Sequence, residues 1–116
     1  MPEYKTQEEL QAEIASLLDD AEPIIARVET IDPNAKTKRG YSVMVRHAWG
    51  ETNWRIDNAM KLYRANCRRV DLHAAWQRAC DLDQRLANLQ RDAKWKREGY
   101  QRITLLNGNY RWEKEE

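Results

Sequence analysis

Phenylalanine is missing from this chain altogether, and turn-forming residues are scarce: four glycines and three prolines in 116 residues. So few turn-makers argue against an all-β protein of many short strands, and the abundance of Ala, Leu, Gln, Glu and Arg favours helix. Cysteine is limited to Cys67 and Cys80, with no CxxC spacing. That suits reduced, buried thiols rather than a disulfide framework. The two histidines, His47 and His73, form no HExxH or HxxxH pattern, and no glycine-rich phosphate loop is present. No apolar run approaches the ~20 residues that span a bilayer. The opening stretch Met-Pro-Glu-Tyr-Lys-Thr-Gln-Glu-Glu has no apolar core of a secretory signal. These absences predict a cytoplasmic protein without cofactor or metal.

Catalytic constellations are equally thin. His73 and Cys80 are seven residues apart and share a helix face, but two ligands do not make a metal site. Cys67 and His73, six apart, point in different directions on one helix and cannot act as nucleophile and base. Asp19/Asp20 and Asp81/Asp83 read as caps and solvated faces. The expectation is that the protein is not an enzyme.

What is present is charge, sorted along the chain. The formal net charge is only +1. Residues 1–35 nevertheless hold two Lys/Arg against nine Asp/Glu, a net −7, and residues 36–102 hold sixteen against seven, a net +9. Either the two parts neutralise each other within one fold, or the basic part meets an external anion. Five tryptophans add bulk, each with an N–H that needs a partner. A chain of this length buries about two-thirds of its unfolded surface without a disulfide or metal, so a single helical domain over 1–116 is expected.

Thr6 followed by Glu9 is a capping-box pattern. Leu10, Ile14, Leu17, Leu18, Ala21, Ile25 and Val28 then recur at helical spacing. This predicts an acidic amphipathic helix over 6–31, kinked or broken near Pro23. Residues 32–41 read as a basic loop, and Ser42 can cap the next helix. Val45, Trp49, Ile56, Met60, Tyr63, Cys67 and Val70 supply its stripe over 42–70, with a possible interruption at Gly50. A second basic helix over 72–98 carries Leu72, Trp76, Ala79, Leu82, Leu86 and Leu89. Asp71 suits its N-cap, and one continuous helix through this region is the alternative. Gly99 fits the position just past a helix end. Residues 101–113 read as a β-hairpin closed by Asn107-Gly108, pairing Leu105 with Tyr110 and Ile103 with Trp112. The fold class is thus mainly α, an antiparallel bundle of three to four helices with a small C-terminal β-hairpin.

The candidate site is the basic helical region. His47, Trp54, Lys61 and Arg68 are seven residues apart and, on a continuous helix, form one stripe flanked by Arg46 and Arg64. Cations neutralise phosphates while an exposed indole accepts an unstacked base, so this pattern suits nucleic acid. Lys38 and Arg39 in the loop extend the positive patch. The competing reading is a solvated cationic face with Trp54 packed on a neighbouring element. Trp95, among Arg91, Lys94, Lys96 and Arg97, is expected to receive the hairpin.

These observations point to a small non-enzymatic binding protein that binds an anionic partner through Arg46, Trp54, Lys61, Arg64, Arg68, Lys38 and Arg39. Nucleic acid stands slightly ahead of an acidic protein surface as that partner. The alternative is a protein-interaction module without nucleic-acid binding, a homo-oligomeric adaptor or a small phage- or plasmid-type inhibitor of a host protein. A formal +1 argues against a DNA mimic, which needs a large negative excess.

Overall fold

Thr6 opens the first helix as its spacing from Glu9 predicts: the Thr6 hydroxyl accepts the Glu9 N–H at 3.2 Å. The computed structural model describes residues 4–115. Helix α1 spans Gln7–Glu29 and buries Leu10, Ile14, Leu18, Ala21, Ile25 and Val28 along one stripe. It runs unbroken through Pro23, so of the two expectations there, a kink or a break, the break does not occur. Pro23 is exposed, and the buried Ala21 and Ile25 on either side hold the chain in register. Tertiary packing of the apolar stripe here outweighs the local cost of proline.

A 3-10 turn at Pro33–Ala35 follows, capped by the Asp32 carboxylate, which accepts the Asn34 N–H at 2.9 Å. Helix α2 then starts earlier than expected, spanning Lys38–Asn66. Thr37 is its cap, accepting the Gly40 N–H at 2.9 Å, and Ser42 lies buried inside the helix. Lys38 and Arg39 are therefore helical rather than part of a loop. Gly50 causes no break. Thr52 sits fully buried in the core, its hydroxyl donating to the Ala48 carbonyl at 2.7 Å, which removes the cost of an orphaned polar group.

The chain does reverse near Asp71, so the single long helix is not formed. The Asp71 carboxylate accepts the His73 N–H at 3.1 Å, and Leu72 is buried as an anchor. Helix α3 spans His73–Arg97. The bundle has three helices, not four, and each packs against the other two. Its radius of gyration is 17.5 Å, against about 13 Å for a compact chain of this length. The molecule is elongated, 65 × 29 × 18 Å.

Gly99, with φ 94°, turns the chain out of α3 into strand β1, Tyr100–Thr104, which pairs antiparallel with β2, Tyr110–Lys114. The register differs by one residue from expectation: Thr104 faces Tyr110, Ile103 faces Arg111 and Arg102 faces Trp112. The closing loop has three residues. Gly108 N–H bonds the Leu105 carbonyl at 3.1 Å, Leu105 N–H bonds the Asn109 carbonyl at 2.7 Å, and Gly108 takes φ 84°. A two-residue type I′ turn would need positive φ at Asn107 as well, and no non-glycine residue among those described has it. A one-residue slip moves residues to the opposite face, so Ile103 no longer shares a face with Tyr110 and Trp112.

The hairpin is held at its base. Asn34 acts as a short surrogate strand, its amide donating to the Arg102 carbonyl at 2.7 Å and accepting the Arg102 N–H at 2.9 Å. Trp95 meets Tyr100 edge-on at 4.7 Å, and the buried Lys96 pairs with Glu115 at 3.2 Å.

Candidate anion-binding face

Burial of Tyr41, Val45, Ala48, Thr52, Ile56 and Ala59 fixes which side of α2 faces inward. The opposite side carries His47, Trp54 and Lys61, all exposed. Trp54 is 47% exposed, with the Arg55 guanidinium 4.3 Å over its ring. Lys61 is held by Asp57 at 3.0 Å, an i,i+4 pair. Arg68 lies beyond the end of α2, in the turn after Asn66, so the stripe stops short of it. Arg64 faces α3 and sits 5.7 Å over the Trp76 ring, which itself stacks on Tyr63 at 4.5 Å.

The seven expected site residues do not form one pocket. Lys38 and Arg39 occupy the first turn of α2, about 24 Å along the axis from Trp54 at 1.5 Å per residue. That first turn holds no acid. Cations there oppose the helix dipole, so the N-terminal end of α2 carries a concentrated positive potential. Among the described residues, Lys38, Arg39, Arg46, Arg64 and Arg68 have no carboxylate within 4.0 Å.

The acids of α1 are turned elsewhere. Arg78 of α3 reaches Asp19 at 2.7 Å and Glu22 at 3.1 Å, and Arg85 reaches Glu29 at 2.5 Å and Glu22 at 3.5 Å. The Glu29 hydrogen bonds lead in raising the Arg85 pKa. For Arg78 burial works the other way, and the bonds to Asp19 and Glu22 overcome it. Internal neutralisation thus links α1 to α3, Lys61 is paired within α2 by Asp57, and Lys38, Arg39, Arg46, Arg64 and Arg68 are left without a carboxylate among the described residues.

Sequence reasoning missed a cleft between α2 and α3. It has a volume of about 280 Å³ and is lined by Ser42, Val45, Arg46, Trp49, Gln90, Ala93 and Arg97. Trp49 shares the heptad spacing of the core stripe yet is 41% exposed. The Arg97 guanidinium donates to the Ser42 hydroxyl at 2.8 Å, which orients it along the cleft wall. The one signal in the sequence was Arg46, three residues before Trp49 and therefore its neighbour on the helix surface.

A second polar cavity, about 200 Å³, lies under the hairpin against Glu29, Tyr41, Arg85, Asp92, Arg102 and Tyr110. Burial raises the Asp92 pKa, with Arg91, Arg102 and the Trp112 indole N–H opposing. Neither Asp92 Oδ1 nor Trp112 Nε1 meets hydrogen-bond geometry with any partner among the described residues. Burial also pushes the Tyr41 phenol up to about 12, assisted by Asp92.

Among the described residues, no group of three His, Cys, Asp or Glu side chains is arranged to hold a metal, and no helix is long and apolar enough to cross a membrane. Cys67 is exposed and Cys80 half-buried, which corrects the expectation of two buried thiols. Comparison with known proteins finds no matching family model, no matching curated protein and no matching solved structure.

Proposed function

We propose that this chain is a small non-enzymatic binding protein whose α2 side takes an anionic partner, with nucleic acid ahead of an acidic protein surface. The observation that carries this reading is the destination of the acidic residues: Asp19, Glu22 and Glu29 are engaged by Arg78 and Arg85. Arg46, Arg64 and Arg68 are left without a carboxylate among the described residues, and Arg46 lines a cleft with the exposed Trp49 indole. The reading takes the helices as an antiparallel bundle, supported by Ser42 beside Arg97 and Tyr63 beside Trp76. In that arrangement α2 and α3 together line a cleft that holds Arg46, Trp49 and Arg97. A protein-interaction module is the second reading, favoured by Leu106, wholly exposed at the hairpin tip.

Binding to DNA and RNA oligonucleotides at several salt concentrations tests the proposal. The affinity should fall log-linearly with salt, and Arg46→Ala, Arg64→Ala and Arg68→Ala should each lower the slope by about one phosphate. Absence of binding at ~50 mM salt would sink it. A defined oligomer by light scattering whose mass is unchanged by nucleic acid would favour the module instead.

A further inference from the structure

Four of the five tryptophans have a ring or guanidinium already against them. Trp54 has Arg55 at 4.3 Å, Trp76 has Tyr63 at 4.5 Å, Trp95 has Tyr100 at 4.7 Å and Trp112 has Tyr110 at 6.5 Å. Trp49 has none among the described residues, and it stands 41% exposed in a cleft that Arg46 of α2 and Arg97 of α3 also line. An uncovered indole beside guanidinium groups offers a stacking face and phosphate donors at one place.

We propose that this cleft is a subsite for one unstacked nucleotide of a single-stranded nucleic acid, with the base on the Trp49 indole and its phosphate between Arg46 and Arg97. The inference rests on the anionic-partner reading above and narrows it to a class of ligand. Three features support it. A volume of about 280 Å³ lies at the lower edge of small-molecule pockets, which suits one base rather than a larger body. The Ser42 hydroxyl takes one N–H of Arg97 at 2.8 Å, so the guanidinium is pre-oriented and its remaining donors are available to a phosphate. Lys38 and Arg39, without an acid in the first turn of α2, add positive potential about one helical turn from Ser42 at the near end of the cleft.

A duplex would present phosphates but keep its bases stacked, leaving Trp49 unused. An acidic peptide would use the arginines but gain little from the indole. Stacking on an aromatic platform is the device of single-strand binders, and it tolerates any base.

The test is a fluorescence-anisotropy titration with labelled oligo(dT) about twelve nucleotides long and with a duplex of equal length. The single strand should bind more tightly and quench tryptophan emission. Trp49→Ala should weaken oligo(dT) binding roughly five- to a hundredfold, Trp49→Phe should retain most of it, and Trp54→Ala should change it less. Arg97→Gln should weaken binding and lower the salt slope by about one. Circular dichroism checks each variant. Should Trp49→Ala lose its helical spectrum, the Trp49→Phe and Arg97→Gln arms decide.

Equal affinity for duplex and single strand, or oligo(dT) binding unmoved by the Trp49 and Arg97 substitutions, overturns the subsite while leaving the anionic-partner reading standing. An acidic peptide displacing oligo(dT) with no loss on Trp49→Ala overturns it likewise. Failure of both oligonucleotides to bind at ~50 mM salt overturns subsite and reading together.

Discussion

The Arg85 guanidinium grips Glu29 from α3 to α1, with Nε 3.1 Å from both carboxylate oxygens and Nη2 2.5 Å from Oε1. Arg85 also contacts Glu22 and Asp81. A multidentate, charge-assisted contact of this kind is stronger than an ordinary surface pair. It decides where the acidic helix spends its charge, and so which cations elsewhere stay uncompensated.

A double-mutant cycle of Glu29→Gln with Arg85→Gln should give a coupling of about 0.5–1 kcal/mol, since both side chains remain partly exposed. Denaturant midpoints measure it, and high salt should shrink it. Arg85→Gln should leave nucleic-acid affinity unchanged, because that side chain belongs to the α1–α3 seam.

Gly50 lies in the interior of α2 and is exposed, and a Cβ added there meets no atom within 4 Å. Gly50→Ala should therefore stabilise the protein by ~0.5–1 kcal/mol, through lower unfolded-state entropy and better helix propensity. A Tm that fell on this substitution would show that the glycine serves something other than the helix.

Asn34 makes both backbone hydrogen bonds to Arg102 that a neighbouring strand would make. Asn34→Ala should cost about 1–3 kcal/mol for the two bonds together. Amide hydrogen exchange at Arg102 should accelerate, while exchange in the middle of α1 should not.

Tyr41 is 1% exposed and its phenol is pushed up to about 12, first by burial and then by Asp92. In the unfolded chain the same group ionises near 10. Between those values the folded protein keeps a proton that the unfolded chain has lost, so stability falls as pH rises from ~10 to ~12. The contribution is complete below that window and lost above it. Subtracting the Tyr41→Phe profile should leave a drop of about 3 kcal/mol for wild type across it; equal profiles would refute the assignment.

Asp92 has its pKa raised, chiefly by burial, from an ordinary 3.8. Its protonated form suits the fold, so its contribution is present below the ordinary value and lost as pH rises through the raised one. Asp92→Asn should raise the urea midpoint at pH 7, on the order of 1 kcal/mol, and the gain should narrow toward pH 4. A uniform effect at both values would place the cause in packing rather than charge.

Much of the fold was legible in local pattern. Thr6 with Glu9, the stripe from Leu10 to Val28, the reversal near Asp71 and the role of Gly99 all depend on residues a few positions apart. The hairpin was legible in kind but not in register. Asn107-Gly108 is compatible with two loop lengths, and the three-residue form differs from the two-residue form only in backbone angles. The basic surroundings of Trp95 mark it as the landing point of the hairpin, and it meets Tyr100 there. Trp49 fits the core stripe by pattern yet stays exposed, because its seven-residue spacing to Ile56 says which face it shares and not how far α3 covers that face.

The sequence by itself determined that the chain forms amphipathic helices, where most of them begin and end, and that acid and base are segregated along it. These follow from caps, periodicity and composition, which act within one or two helical turns. Only the tertiary structure decided which helix receives the acids, which tryptophan remains uncovered and which arginines stay without a carboxylate. Those outcomes hang on contacts between residues 55 or 56 positions apart, such as Arg85 with Glu29 and Arg97 with Ser42. Helix crossing sets such contacts through the packing of entire apolar stripes, and no short-range pattern encodes it.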